Sequence, residues 1–237
     1  MHYRIGAAHC SSDERWDILL RGFKKSVAHN TGAELDLRHF GYERQKQKWK
    51  YNSNSRKLQL WRDIVYDSDL PVVLMDTDTC VLDDISGGFQ GEVTLTKPRS
   101  RWVNAGVVFI IPNDRTRALM DMWVDRDRQL YQGETRASGI PITLHKAWRQ
   151  TGVLGQNQTA LADMWGEIPC DVAWVDGAVY NCCHKDMFDS EEREAVARVL
   201  HIKEHEGDIQ KQLMRCVSGG HAKKYHSIIS KIIPYYT

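Results

Sequence analysis

Apolar runs of strand length alternate with stretches of helical period through the first third of the chain. "YRIGAA" (3–8) is a short buried strand followed by polar turn residues. "SSDERWDILLRGFKKSVAHN" opens with a capping pattern, Ser11 three residues ahead of Glu14. Trp16, Leu20, Phe23 and Val27 then recur at helical spacing, which predicts a helix packed on a sheet. "ELDLRHF" alternates as a second strand. A basic loop follows, then a helix over "KLQLWRDIVY" and a third strand over "PVVLMDTD" (71–78). The order β-α-β-α-β implies a parallel, doubly wound sheet flanked by helices.

"EVTLTKP" (92–98) and "WVNAGVVFIIP" (102–112) add two strands, and Asn113 or Asp114 can cap a helix running through Trp123. Beyond residue 132 the pattern loosens. "QGETRASGIP" reads as a loop, "NQTALADMW" as a short helix and "VAWVDGAVYN" as a strand. "SEEREAVARVL" reads as a helix running into a strand, and "KKYHSIISKIIPYY" as an amphipathic helix. No internal repeat or low-complexity linker divides the chain.

In such sheets ligands bind beyond the carboxyl ends of the strands. The third strand ends there in Asp76 and Asp78, preceded and followed by apolar residues. Two carboxylates two residues apart on an extended strand face the same way and repel unless a cation or a shared proton intervenes. The chain has three Asp-x-Asp triplets, at 67/69, 76/78 and 125/127. The first lies in a turn before Pro71, and the third on a helix where that spacing aligns nothing. The second alone follows a buried strand. The plainer alternative is a pair of solvated carboxylates at a strand end.

Composition narrows the field. The 237 residues suit a single α/β domain, and 42% apolar content supports a sizeable core. A formal charge of +1 gives no global basic field for nucleic acid or a membrane surface. The stretch "YERQKQKWKYNSNSRK" (42–57) is a local exception, with six Lys/Arg against one Glu. Trp49 and Tyr51 within it leave an anionic polymer, including nucleic acid, open as a partner; a solvated surface or a lid is the alternative. No apolar run nears the roughly 18 to 20 residues of a membrane span. "MHYRIGAAHC" lacks the apolar core of a signal peptide, so a cytoplasmic location is expected. The six cysteines show no framework spacing and read as reduced thiols. Cys182, Cys183 and His184 find no second Cys/His pair at zinc-finger spacing, and loop thiols are the better reading.

Two enzyme classes compete for the aspartates. "VVLMDTDTCVL" resembles the first motif of the haloacid-dehalogenase phosphatases, in which Asp76 would be a nucleophile and Asp78 a general acid on a Mg²⁺ site. That motif normally ends the first strand of its fold, whereas two βα units precede it here, and no later Asp-Asp pair completes the metal site.

The wider resemblance is to GT-A fold glycosyltransferases, in particular the family of glycogenin and bacterial galactosyltransferases (glycosyltransferase family 8). "LMDTDTCVLDDI" resembles its Asp-x-Asp stretch, and "WVNAGVVFI" its Asn-Ala-Gly strand. "GQNQTALADMW" resembles its Asp-Gln helix, and "RVLHIKEHEG" its late His-containing strand. The four segments occur in the expected order. The resemblance implies one GT-A domain over 1–237, with a nucleotide-binding half at 1–112 and an acceptor-side half at 113–237. It implies a UDP-type sugar donor, transfer with retention to an acceptor such as a glycan, and Mn²⁺ or Mg²⁺ to neutralise the departing diphosphate. Asp76, Asp78 and His201 would ligate the metal, and the imidazole mildly favours Mn²⁺. For His201 the alternative is a satisfied core histidine.

By position, Ala7, Ala8 and His9 in the loop after strand one would meet the nucleotide base. Thr77 would lie against the nucleotide, and Arg56 and Lys57 would pair the diphosphate unless they form a solvated helix face. Asn104 would bind donor-sugar hydroxyls, with the small Ala105-Gly106 pair letting the sugar approach the backbone. Asn157 and Gln158 would line the sugar face, and Lys203 would steady the leaving group. Asn157 replaces the family's Asp, which removes a nucleophile or base. That substitution opens a third reading, a sugar-nucleotide-binding protein without turnover. With no strong base candidate, retention fits better than inversion, although Asp163 or Asp176 could supply a base.

Overall fold

The first βα units form as the pattern predicts. The computed structural model describes residues 1–10, 14–41, 49–97, 104–132, 157–183, 196–202, 209–222 and 225–237. Strand β1 (Arg4–His9) pairs in parallel with β2 (Glu34–His39) on one side and β3 (Val72–Met75) on the other. Between β1 and β2 runs α1 (Glu14–Asn30), whose buried residues are Leu19, Gly22, Phe23, Ser26 and Val27. Trp16 and Leu20 are only half-buried, so the apolar face is rotated from the expected one. The reason is that α1 packs in two directions. Phe23 and Val27 meet the sheet, while Gly22 accepts the ring of Tyr236 so closely that a Cβ there would lie 2.0 Å from it.

Helix α2 (Trp49–Tyr66) begins inside the basic stretch, so residues 49–56, expected as loop, are helical. Its buried face is Ser55, Leu58, Trp61, Ile64 and Val65. The upper turn of that stripe is polar, and its partners lie far along the chain. The apolar period therefore could not reveal it.

Beyond β3 the sheet continues through β5 (Val93–Lys97), β6 (Asn104–Ile110) and β7 (Val172–Asp176), in the order β2-β1-β3-β6-β5-β7. Strand β6 runs antiparallel to both β3 and β5, and the β5–β7 pairing is parallel. This is the expected mostly parallel sheet, with β6 reversed.

The third strand ends earlier than its apolar pattern suggested. After Met75 the chain turns through Asp76, Thr77 and Asp78 and enters β4 (Thr79–Val81), which belongs to a second, three-stranded sheet of order β4-β9-β8. Strand β9 (Val199–His201) pairs antiparallel with β4 and parallel with β8 (Cys182–Cys183). The Asp-x-Asp triplet is thus a seam between two sheets, not the end of one extended strand.

Helix α3 (Asp114–Gln132) is capped by Asn113, whose Oδ1 accepts from the Thr116 amide at 2.9 Å, while the Thr116 hydroxyl oxygen accepts from the Asn113 amide at 2.9 Å. It runs past Trp123 because the next turn buries Asp127. Helix α4 (Asn157–Asp163) packs with α2 and α3 over one face of the large sheet, around Leu58, Trp61, Trp123 and Leu161. The expected strand through Asn181 breaks at Asp176. Its carboxylate accepts from the Ala178 amide at 2.8 Å and starts the short helix α5 (Gly177–Tyr180).

Helix α6 (Ile209–Val217), not foreseen, joins α7 (His226–Tyr236) in covering the small sheet with Leu213, Ile228, Ile229 and Ile232. Ser11, His184, Lys203, the loop read after residue 132 and the helix start read at 190–195 lie outside the described residues. None of the six cysteines is in a disulfide.

Candidate active site

The turn between the sheets is held from both sides. The Asp76 amide donates to the Gly106 carbonyl on β6 at 2.9 Å, and the Ile202 amide after β9 donates to the Asp78 carbonyl at 2.7 Å. Within the turn, the Thr79 hydroxyl donates to the Asp76 carbonyl at 2.7 Å. So held, the two carboxylates converge on the imidazole of His201. The Nε2 atom lies 3.1 Å from Asp78 Oδ1 and 3.7 Å from Asp76 Oδ2, and one ligand atom from each residue lies within 4.8 Å of the others.

The hydrogen-bond network fixes which imidazole nitrogen faces the carboxylates. The Thr96 hydroxyl donates to the Asn104 carbonyl at 2.9 Å, so its oxygen accepts from Asn181 Nδ2 at 2.9 Å. That orients the Asn181 amide with Oδ1 toward His201 Nδ1, 2.8 Å away, and Nδ1 therefore carries the proton. Nε2 is the nitrogen that faces the point where Asp76 and Asp78 meet. Two carboxylates and a neutral imidazole make a ligand set suited to a divalent cation, with the Lys57 ammonium already 2.6 Å from the other Asp76 oxygen. The Asn181–His201 contact is of the kind that orients metal-ligating histidines in general. Asn181 was not among the residues foreseen, since only the fold brings it beside His201.

Gly106 also gains a physical reason. A Cβ there would lie 2.3 Å from Cε1 and 2.6 Å from Nδ1 of His201. The glycine makes room for the imidazole.

Around this centre the predicted residues divide. Lys57 reaches in from α2, its Nζ 2.6 Å from Asp76 Oδ1 and 4.6 Å above the Trp61 ring. Arg56, beside it in sequence, is exposed and donates to Gln59 at 2.9 Å. Thr77 is buried, and its Oγ1 is 3.1 Å from His9 Nδ1. Burial, reinforced by His39, lowers the His9 pKa against the pull of Asp17, whose Oδ1 lies 3.8 Å from the buried His9 Nε2. Ala7 and Ala8 are buried within β1 and not in the loop expected after it.

The remaining predicted residues form one wall. Asn104 Oδ1 accepts from the Gly106 amide at 3.0 Å and from Gln158 Nε2 at 3.3 Å. Asn157 is buried at the start of α4. Its carbonyl accepts from the Trp123 indole at 2.6 Å, and its Nδ2 has no partner. A further group comes from the triplet whose spacing was set aside. Asp127 is 1% exposed and accepts a hydrogen bond from the Ser55 hydroxyl through Oδ2, with Oδ1 unpartnered. Burial pushes its carboxyl up to about 7 against the pull of Lys57. A lone acidic residue in a helix carries no sequence signal of such burial.

No family model matches the chain, and no curated protein matches it. Solved structures do. A glycosyltransferase involved in glycosylation of the major capsid of PBCV-1 is 15% identical, with a TM-score of 0.52 over 84% of this chain and 93% of that one. The galactosyltransferase LgtC, in complex with donor and acceptor sugar analogs, is 10% identical, with a TM-score of 0.52 over 100% and 95%. The glycosyltransferase GlyE of Streptococcus pneumoniae TIGR4 is 11% identical, with a TM-score of 0.53 over 86% of this chain and 56% of that one. At these identities the likeness is one of architecture. The chain has the GT-A fold of these glycosyltransferases.

Proposed function

We propose that the protein is a metal-dependent glycosyltransferase that moves a sugar from a nucleoside-diphosphate donor of the UDP type to a saccharide acceptor. The observation that carries this reading is the convergence of Asp76, Asp78 and His201 at the seam of a GT-A fold. A divalent cation held there, Mn²⁺ by preference for the imidazole, would neutralise the charge that grows on the diphosphate as the glycosidic bond breaks. Asp76 and Asp78 supply its anionic ligands, and His201 the neutral one.

Asn104 and Gln158 are placed to hydrogen-bond the hydroxyls of the transferred sugar. The two carboxylates that could serve an inverting mechanism are engaged elsewhere. Asp163 pairs with Arg126, and Asp176 caps α5. That supports transfer with retention. His9, buried beside Thr77, is a candidate contact for the nucleotide.

Asn157 favours one second reading, a sugar-nucleotide binder without turnover, because an amide replaces a carboxylate beside Gln158. Calorimetric titration with UDP- and GDP-sugars plus Mn²⁺, followed by assay of UDP release and of phosphate release from a generic phosphate ester, separates the possibilities. UDP release with no phosphatase activity is expected. Tight donor binding with no release identifies the binder, and phosphate release alone removes the glycosyltransferase reading.

A further inference from the structure

The charge beside the Asp76 carboxylate is not neutral to a metal. Lys57 Nζ lies 2.6 Å from Oδ1, while Oδ2 is the oxygen that faces His201. The two oxygens are thus divided between an ammonium and the ligand cluster. Lys57 is held in place by more than Asp76. Its Nζ lies 4.6 Å above the Trp61 ring, and its side chain is 14% exposed. The Asp127 carboxyl, hydrogen-bonded to Ser55 on the same helix, also feels its field.

We propose that Lys57 sets the site's selectivity, making it a poor seat for a bare divalent cation and a good one for the cation bound to a diphosphate. This rests on the metal reading above. Asp76 and Asp78 bring two negative charges and Lys57 returns one, so an incoming dication meets a weakened field and a fixed like charge. A metal–diphosphate complex carries its own anionic oxygens, and Lys57 becomes an attraction for them. The same ammonium opposes one ligand and favours the other. Lys57 is therefore a discriminating residue and not a general phosphate contact. It also makes Asp76 a one-oxygen ligand, since Oδ1 is taken.

The test uses the whole chain, Mn²⁺ alone and Mn²⁺ with pyrophosphate, titrated into wild type, Lys57→Met and Lys57→Arg, with thermal melts to confirm folding. Lys57→Met should bind Mn²⁺ alone about tenfold more tightly and Mn²⁺–pyrophosphate about tenfold more weakly, effects of the size seen for partners of metal ligands. Lys57→Arg, which keeps the charge, should follow wild type. Equal or weaker binding of Mn²⁺ alone by the Met variant, or an Arg variant that behaves like Met, overturns the inference while leaving the metal site standing. Failure of all three proteins to bind Mn²⁺, with or without pyrophosphate, removes the metal site and the inference with it.

Discussion

The six-stranded sheet and the three-stranded sheet meet at the turn from Asp76 to Thr79, and the chain assembles them in different ways. The first half of the large sheet is local: β1, β2 and β3 follow one another with one helix between each pair. All four residues of β3 are buried, and α2, α3 and α4 close one face. The small sheet draws its three short strands from residues 79–81, 182–183 and 199–201. Strands so short do not stand alone, and α1, α6 and α7 hold them through Leu19, Leu213, Ile228, Ile229 and Ile232. The site uses one surface from each. Gly106 belongs to the large sheet, His201 to the small one, and the aspartates link them. Ligand geometry therefore depends on how the sheets dock, a tertiary property that neither sheet contains.

The largest expected effect breaks the large-sheet layer. Trp61→Ala removes a fully buried indole and should cost about 3–5 kcal/mol in urea unfolding. Leu213→Ala, on the small-sheet side, should cost about 2–5 kcal/mol and should weaken Mn²⁺ binding as well, because it loosens the element that carries His201. If Leu213→Ala keeps wild-type metal affinity when folded, the docking of the small sheet does not control the site.

Gly106→Ala tests the seam itself. The new methyl would need the space of the His201 ring, so stability should fall by about 1–3 kcal/mol. Metal affinity should fall further than in any variant outside the three ligands. Calorimetry beside thermal melts separates the two losses.

Much of the large sheet was legible because its signals are local. The strand and helix periods of β1, α1, β2 and β3 come from residues close in sequence, and Asn113 caps α3 with its own neighbour Thr116. The failures lie where polar side chains take partners that the apolar period does not show. The upper turn of α2 is held by Ser55 and Lys57, whose partners Asp127 and Asp76 lie far away or across a turn, so its polarity reads as loop. Asp176 looks like one more strand residue until its carboxylate caps α5. In the site, Asp76, Asp78 and His201 were readable as residue types in a resembling order. Asn181 was not, because an asparagine becomes a histidine's orienting partner only once β8 and β9 are paired.

Asn181→Ala sharpens that point with a smaller effect. Without the Oδ1 acceptor, His201 loses its fixed tautomer, and Mn²⁺ affinity should drop about 10- to 100-fold with the fold intact. An unchanged affinity would show that the ring is oriented by packing alone.

The last effect is a drift with pH. The Asp127 carboxyl is raised to about 7, against ~3.9 in an unfolded chain. The folded state therefore holds a proton that the unfolded chain releases between about pH 4 and 7, and stability falls as pH rises through that window. Asp127→Asn removes the titration. Its melting temperature relative to wild type should rise across that window and level off above about pH 7. A constant difference from pH 4.5 to 8 would mean that Asp127 is ionised throughout.

The central claim is that His201 completes a metal site that carries a nucleotide diphosphate. Titrating UDP into wild type and His201→Ala, each with Mn²⁺ and with a chelator, tests it most directly. Wild type should bind UDP more tightly with Mn²⁺. In the variant that enhancement should shrink by about one to two orders of magnitude, while UDP binding under chelator stays the same. Equal enhancement in both proteins would take His201 out of the site and contradict the account.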